Sequence, residues 1–338
     1  NLDVTILGIE TSCDETAAAL VRDGRTVLHS SVASQMSVHR PFRGVVPELA
    51  SRAHTERINA VIEAVLNHRP KTSFDAVAVT RGPGLVGCLL VGAVTAQIIA
   101  RVRHIPVVGV NHLEGHLFAG LVEHTKLKPP FLGLIVSGGH TELVIFKGYG
   151  RYTRLGATRD DAAGEAFDKV ANKLGLSFPG GPAIDRAAAK GNPHAINFPR
   201  AWIPGTWDFS FSGIKTSVVT YLEKTIHKGR VSIPDIAASF QEAIVDVVVT
   251  KTLKAAEHYG LRSLVVGGGV AANRRLRHVF VEEGKKRKIQ IFLPDLAFCT
   301  DNAAMIASAA YYQLKHNPKK KNQQGMAVEA DLKISNWK

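Results

Sequence analysis

Three cysteines, Cys13, Cys88 and Cys299, are scattered over 338 residues. They are too few and too far apart for a disulfide framework or a zinc ribbon, and they suit a reducing compartment. No apolar run is read as reaching the ~18 residues of a membrane span, so no membrane partner is expected. No signal peptide opens the chain, although it starts at Asn1 without a methionine and a removed presequence stays open. Acidic residues are short as well: 29 Asp and Glu face 42 Lys and Arg, leaving a formal net charge of +13. A surface of that sign attracts polyanions, RNA or DNA first among them, unless it is only a solvated basic face. Long low-complexity linkers are missing too. A chain of this length is more than one core usually organises, so two lobes are expected.

What is present alternates between strand and helix patterns. "VTILGIETSCDETAAALV" (Val4–Val21) and "FLGLIVSGGHTELVIF" (Phe131–Phe146) share one plan: an apolar run, a small-residue turn, a second apolar run. Both predict β-hairpins whose turns can bring backbone N–H groups close to a phosphate. Two such devices half a chain apart suggest a duplicated lobe that handles a nucleotide. Between them, "DAVAVT" predicts a strand, Leu85–Val102 an apolar helix and "IPVVGV" another strand. Beyond them, "DDAAGEAFDKVANKLGL" has helical spacing with Gly175 as its stop, and Pro182 suits a first helical turn. Pro234–His258 predicts a long helix, and "SLVVGGGVAANRRLRHVF" a buried strand, a glycine turn and a helix. The class is α/β.

Positive charge concentrates at Lys285, Lys286, Arg287 and Lys288 and again at Lys319–Lys321. Both clusters are read as exposed, either for solubility or for phosphate contacts. The segment His39–His54 is a further candidate for RNA contact.

"NHLEGH" (Asn111–His116) resembles half of a zinc protease, but the order is H-x-E-x-H rather than H-E-x-x-H. On a helix His112 and His116 share a face and can share a metal. Glu114 lies about 200° around the axis from His112, so it points away and cannot activate a metal-held water. A peptidase reading fails on that geometry. The pair follows a strand, where α/β sites are commonly built, and Asp301 in "FCTDNAAMIA" is a candidate third ligand or a helix N-cap. Two histidines and one carboxylate with open positions suit Fe(II) or Zn(II).

Ten motifs then occur in order: "GIETSCDET", "GVVPELASRAH", "GPGLVG", "NHLEGH", "VSGGHTEL", "DDAAGEAFDK", "FPGGPAID", "DFSFSGIKT", "GGGVAANRRLR" and "CTDNAAMIA". From Ile6 to about Tyr312 the chain resembles the universal tRNA threonylcarbamoyladenosine transferase family, bacterial TsaD type, formerly called O-sialoglycoprotein endopeptidases. The resemblance implies the actin, hexokinase and Hsp70 (ASKHA) fold: two RNase H-like lobes with a nucleotide and metal cleft between them. Residues 1–130 would form the first lobe, with the histidine pair and the first hairpin. Residues 131–338 would form the nucleotide-binding lobe, with the last helix near 301–316 supplying the metal aspartate.

The same resemblance implies transfer of threonylcarbamoyl from threonylcarbamoyl-AMP to N6 of adenosine 37 in ANN-decoding tRNAs, with release of AMP. It implies one divalent metal per subunit, iron by family and zinc as the alternative, on His112, His116 and Asp301. Nucleotide contacts carry over to Ile135, Val136, Ser137, Gly138, Gly139, Asp168, Gly181, Asp185 and Asn273. Glu10, Asp14 and Glu15 are the nearest carboxylates for a general base, or else cap backbone groups. The tyrosine ligand of some archaeal and eukaryotic members has no counterpart in "LGLIVSGG". Bacterial members work in the cytoplasm with a same-fold paralogue (TsaB) and an ATPase (TsaE); mitochondrial relatives act as homodimers. A non-catalytic nucleotide-binding paralogue is the remaining alternative, and it would be expected to lose the metal ligands.

Overall fold

Strand propensity is strongest where apolar residues run without interruption, and those runs form the centres of two sheets. The computed structural model describes residues 3–68, 72–226, 232–317 and 323–337. In chain order the first half holds β1 (Thr5–Glu10), β2 (Glu15–Arg22), β3 (Thr26–Ser34), α1 (Met36–His39), α2 (Pro47–His68), β4 (Ala76–Gly82), α3 (Val86–Arg103), β5 (Val107–Asn111) and α4 (His112–Glu123). Then come β6 (Phe131–Val136), β7 (Thr141–Gly148), β8 (Arg151–Ala157), α5 (Ala163–Lys173), α6 (Gly180–Ala188), α7 (Ser212–Ile226) and α8 (Ile233–His258). The chain continues with β9 (Ser263–Gly267), α9 (Arg274–Lys286), β10 (Gln290–Phe292), α10 (Leu296–Cys299) and α11 (Ala303–His316).

The first sheet has the order β3-β2-β1-β4-β5 and the second β10-β9-β6-β7-β8. Counted from the first hairpin strand of each half, both read third, second, first, fourth, fifth. The duplication expected from the two hairpins is therefore a duplication of topology. In the first sheet β1 and β2 pair antiparallel, and β1–β4 and β4–β5 pair parallel. In the second, β6–β9 and β9–β10 are parallel. Parallel neighbours need a crossover, and helices supply it: α2 and α3 in the first half, α9 between β9 and β10.

The chain divides into two compact units, residues 1–129 with 146–152 and 294–338, and residues 130–145 with 153–293. The last 45 residues thus belong to the first unit, not to the second lobe as the sequence reading placed them. The reason is close packing of small residues. Ala303, Ala304 and Ala307 of α11 are fully buried, and a Cβ on Gly8 of β1 would collide with the Ala303 carbonyl.

The expectation about apolar runs also needs correction. By length and composition α3 could cross a membrane: its 18 residues have a mean hydropathy of 1.5. One side of α3 is core, with Cys88, Leu89, Ala93, Ala96 and Ala100 buried. Ala96 and Ala100 pack with Val61 and Val65 of α2 and with Val77 and Val79 of β4. On its other side Val86, Leu90, Val94, Ile98 and Val102 form an exposed stripe at four-residue intervals.

Candidate functional site

β5 ends at Asn111, and the chain turns directly into α4 because that residue caps it. The Asn111 side chain accepts from the backbone N–H groups of Leu113 (2.9 Å) and Glu114 (3.3 Å). His112 and His116 then fall on one face, as their spacing requires. Gly115 between them has a packing role. A Cβ there would stand 2.8 Å from Ile306 Cδ1 of α11, so a larger residue would force that side-chain end to shift where the two helices approach closely. That approach brings in Asp301, two residues before α11. The cap of α11 is Asn302, whose side chain accepts from Met305 N at 3.0 Å. Asp301 is thereby released from the N-cap role considered for it.

Asp301 Oδ1 lies 3.3 Å from His112 Nε2 and 3.4 Å from His116 Nε2. Two donors on one tetrahedral ion at ~2.1 Å are themselves separated by roughly 3.4 Å. His112 and His116 are buried, and Asp301 is partly so. Among the described residues His116 Nδ1 has no partner, and its Nε2 meets only the Asp301 carboxylate, at 3.4 Å and outside good hydrogen-bond geometry, although both are shielded from solvent. An orphaned buried imidazole costs stability, and a bound cation would supply the missing partner. The three residues fit a divalent metal.

Behind them, Glu10 at the end of β1 is fully buried and fully used. Its Oε2 accepts from His112 Nδ1 (2.9 Å) and Thr80 Oγ1 (2.5 Å), and its Oε1 from Ser12 N (2.5 Å). Ser12 Oγ lies 3.2 Å from the same Nδ1. This arrangement fixes the His112 tautomer, with the proton on Nδ1 and Nε2 facing Asp301. Burial alone would raise Glu10, but the charge and hydrogen bond of His112 outweigh it and the carboxyl sits below its ordinary range. Burial likewise opposes charge on His112, yet Asp301 and Glu10 hold its pKa well above the usual value. Asp301 is low despite burial, held by His112 and then His116. His116 is lowered, chiefly by burial.

Glu15, at the start of β2, is pushed far above the carboxylate range by burial and then by the neighbouring Asp14 and Asp301 charges. The Cys13 thiol is raised for the same reasons, which disfavours its thiolate. In a chain of net +13 this corner is locally acidic, and a cation relieves it. Glu10 therefore acts on His112, whereas Glu15 is held protonated by burial beside Asp14.

Glu114 behaves as its angular position predicts. It is buried on the opposite face of α4, where the Tyr152 hydroxyl donates to it beside the Trp337 indole. Burial pushes its pKa up to about 7 against the pull of those two groups.

The nucleotide candidates belong to the second unit. The turn after β6 is closed by Ser137 N donating to His140 O (2.8 Å) and His140 N to Ser137 Oγ (3.1 Å). Ile135 pairs in register with Gly267, which places the turn after β9 beside it. Gly268 there has φ +98°, and a Cβ on it would clash with Val136 O. Gly138 and Gly139 face open space. Asn273 caps α9 through Leu276 N (2.9 Å) and donates to Gln241 Oε1 (2.7 Å). Asp185 pairs with Arg274 Nε at 2.6 Å, and Asp168 accepts from Gly180 N at 2.7 Å, next to Gly181. The structure brings the two glycine turns and Asn273 together, while Asp168 and Asp185 each have an oxygen committed to the protein.

Of the basic clusters, Lys285, Lys286 and Lys288 are exposed. Arg287 is tied to Glu283 and, at 3.6 Å, to Glu257. Lys319–Lys321 lie outside the described residues. Sequence reasoning missed Ser12, Thr80, Tyr152 and Trp337, whose partners are remote in sequence. The local signal for Ser12 was its place in the first turn, two residues from Glu10.

The sequence model of the family described as "TsaD: tRNA N6-adenosine threonylcarbamoyltransferase" matches residues 26–308. A tRNA N6-adenosine threonylcarbamoyltransferase of Endomicrobium trichonymphae is 48% identical over 99% of this chain and 100% of its own length. One from Clostridium botulinum (strain 657 / Type Ba4) is 53% identical over 92% of each. Among solved structures, T.kodakarensis HypF aligns with a TM-score of 0.63 at 14% identity, covering 93% of this chain and 48% of that one. The Acidaminococcus fermentans (R)-2-hydroxyglutaryl-CoA dehydratase component A aligns with a TM-score of 0.54 at 16% identity, covering 92% and 99%. These two likenesses concern the fold.

Proposed function

Because the chain belongs to the TsaD family of tRNA N6-adenosine threonylcarbamoyltransferases, we propose that it moves a threonylcarbamoyl group from threonylcarbamoyl-AMP to N6 of adenosine 37 in ANN-decoding tRNAs. The enzyme is a transferase with the actin-like ATPase fold. The observation that carries the site assignment is the His112–His116–Asp301 trio, with Glu10 fixing the His112 tautomer and His116 otherwise unpartnered. Those three residues would hold one divalent ion, iron or zinc. When bound, such an ion supplies Lewis acidity and orients phosphate oxygens.

The remaining steps fall to the chain's own groups. N6 attacks the carbamoyl carbon, a C–N bond forms, the C–O bond to phosphate breaks, and AMP leaves. N6 must shed a proton, and Asp14, the neighbour of protonated Glu15, is the candidate carboxylate to take it up. Backbone N–H groups of Ser137–Gly139 suit the leaving phosphate, and Asp168 and Asp185 suit ribose hydroxyls. Transfer from threonylcarbamoyl-AMP to an ANN-decoding tRNA, with and without added protein partners, tests the reading. Absence of threonylcarbamoyladenosine under every condition would end it. A cytoplasmic location goes with that substrate.

Adenine nucleotide is expected to lose at least about tenfold in affinity in Gly138→Val, a difference of roughly 1.4 kcal/mol. The added side chain meets no protein atom, so calorimetry reads the ligand rather than the fold. An unchanged Kd would remove the turn from the site. Gly268 is a poorer probe, because any side chain there strains the backbone.

The exposed stripe of α3 suits a same-fold paralogue presenting a helix. A row of residues four apart is the ridge that packs into another helix's groove. Val94→Asp is expected to weaken association with that paralogue more than tenfold, read by analytical ultracentrifugation, without changing AMP binding. Loss of a homodimer instead would assign the stripe to a second copy. Unchanged association of either kind would discard it.

A further inference from the structure

The segment Gln35–Val46, between β3 and α2, contains Arg40, Arg43 and His39 and no acidic residue. Its base is fixed by buried polar groups. Gln35 Nε2 donates to Ala50 O (3.3 Å), and its Oε1 is 3.1 Å from His39 Nε2. His39 Nδ1 accepts from Val46 N at 3.3 Å. One tautomer satisfies all of this: Nε2 carries the proton, Nδ1 accepts, and the ring is neutral. Burial keeps the His39 pKa below its ordinary value, in agreement.

From this base the chain makes a single 3-10 turn, Arg40–Phe42, closed by Arg43 N donating to Arg40 O at 3.2 Å. Arg43 adopts the left-handed region at φ 56°. Arg40, Phe42 and Arg43 all project outward, and Phe42 is 59% exposed. An aromatic ring displayed on a fixed turn between two guanidinium groups has no role in the core. It matches what single-stranded RNA offers: a base face to stack on, with phosphates on either side.

The turn also lies close to the chemistry. Gln35 N donates to Asp14 O at 2.9 Å. Asp14 is two residues from Ser12, whose Oγ is 3.2 Å from His112 Nδ1. The base of the turn is thus joined to the β1–β2 turn that carries Asp14, on the way to the histidines.

We propose that Phe42 stacks on an unpaired anticodon-loop base flanking the target adenosine, while Arg40 and Arg43 neutralise the adjoining phosphates. The inference rests on the tRNA reading above. Paired RNA would not suffice, because its bases present no free face. Two flanking arginines favour a polyanion over an apolar protein segment as the occupant.

Binding of the full chain to an ANN-decoding tRNA and to its isolated anticodon stem-loop tests this across a salt series. Phe42→Ala is expected to weaken both by about 5- to 150-fold, the range for one lost aromatic–base stack. Phe42→Trp should retain wild-type affinity. The Arg40→Gln/Arg43→Gln double variant should flatten the log–log salt slope by about 1.4, roughly 0.7 per phosphate of a single strand. AMP affinity and metal content should stay unchanged in all three. Wild-type tRNA affinity and salt slope in the alanine and glutamine variants overturn the proposal. So does intact tRNA binding combined with lost association of a protein partner. A wild-type chain that neither binds nor modifies tRNA overturns the functional reading itself, which separates the two failures.

Discussion

Replacing His116 with glutamine is expected to leave protein purified under exclusion of oxygen with less than about a tenth of an equivalent of metal. The loss of affinity should exceed the 10- to 100-fold typical of an outer partner, since a ligand itself is gone. tRNA modification should fall with it, while AMP binding, proposed above for residues of the other unit, should persist. Glutamine keeps much of the imidazole volume, which matters because His116 is buried and alanine would leave a cavity at the α4–α11 contact. Asp301→Asn should behave alike, because an amide oxygen is a far weaker donor to a dication than a carboxylate. Elemental analysis and far-UV circular dichroism together separate loss of metal from loss of fold. Stoichiometric metal in a His112→Ala/His116→Ala double variant would end the assignment.

Sequence carried the metal trio because two of its members are four residues apart, and helix geometry is a local rule. The same rule placed Glu114 on the wrong side of α4, where it is found against Tyr152. The two hairpins were legible because period-two patterns and small turns are local too. What sequence could not carry is anything set by distant pairing. Glu10 and His112 are 102 residues apart, and nothing near Glu10 distinguishes a group that orients a histidine from one that takes a proton. The return of residues 294–338 to the first unit goes with close approaches at glycine, Gly8 against the Ala303 carbonyl and Gly115 against the Ile306 side chain. Such contacts are invisible to a hydrophobicity count. α3 is apolar nearly all round, so its composition could not say which side would stay exposed.

The Glu10→Gln variant tests the pairing that sequence could not show. An amide at this position still meets His112 Nδ1 in shape but no longer offers the charge that orients the ring and strengthens Nε2 as a donor. Loss of such an outer partner lowers metal affinity by about 10- to 100-fold. The pH dependence carries the sharper signature. Asp301 and Glu10 raise the His112 pKa, so in the wild type metal must displace a proton whenever the solution is below that value. Apparent affinity then falls toward acid, up to about tenfold per pH unit for one proton released. In Glu10→Gln the His112 pKa is lower and less of that competition remains. The gap between wild type and variant should therefore be widest at high pH and narrow as pH falls. Metal titrations across that range, read with a competing chelator, give the comparison directly. Parallel curves, or a gap that widens toward acid, would show that Glu10 does not act through His112, and its carboxylate would return to the list of candidate bases beside Asp14 and Glu15.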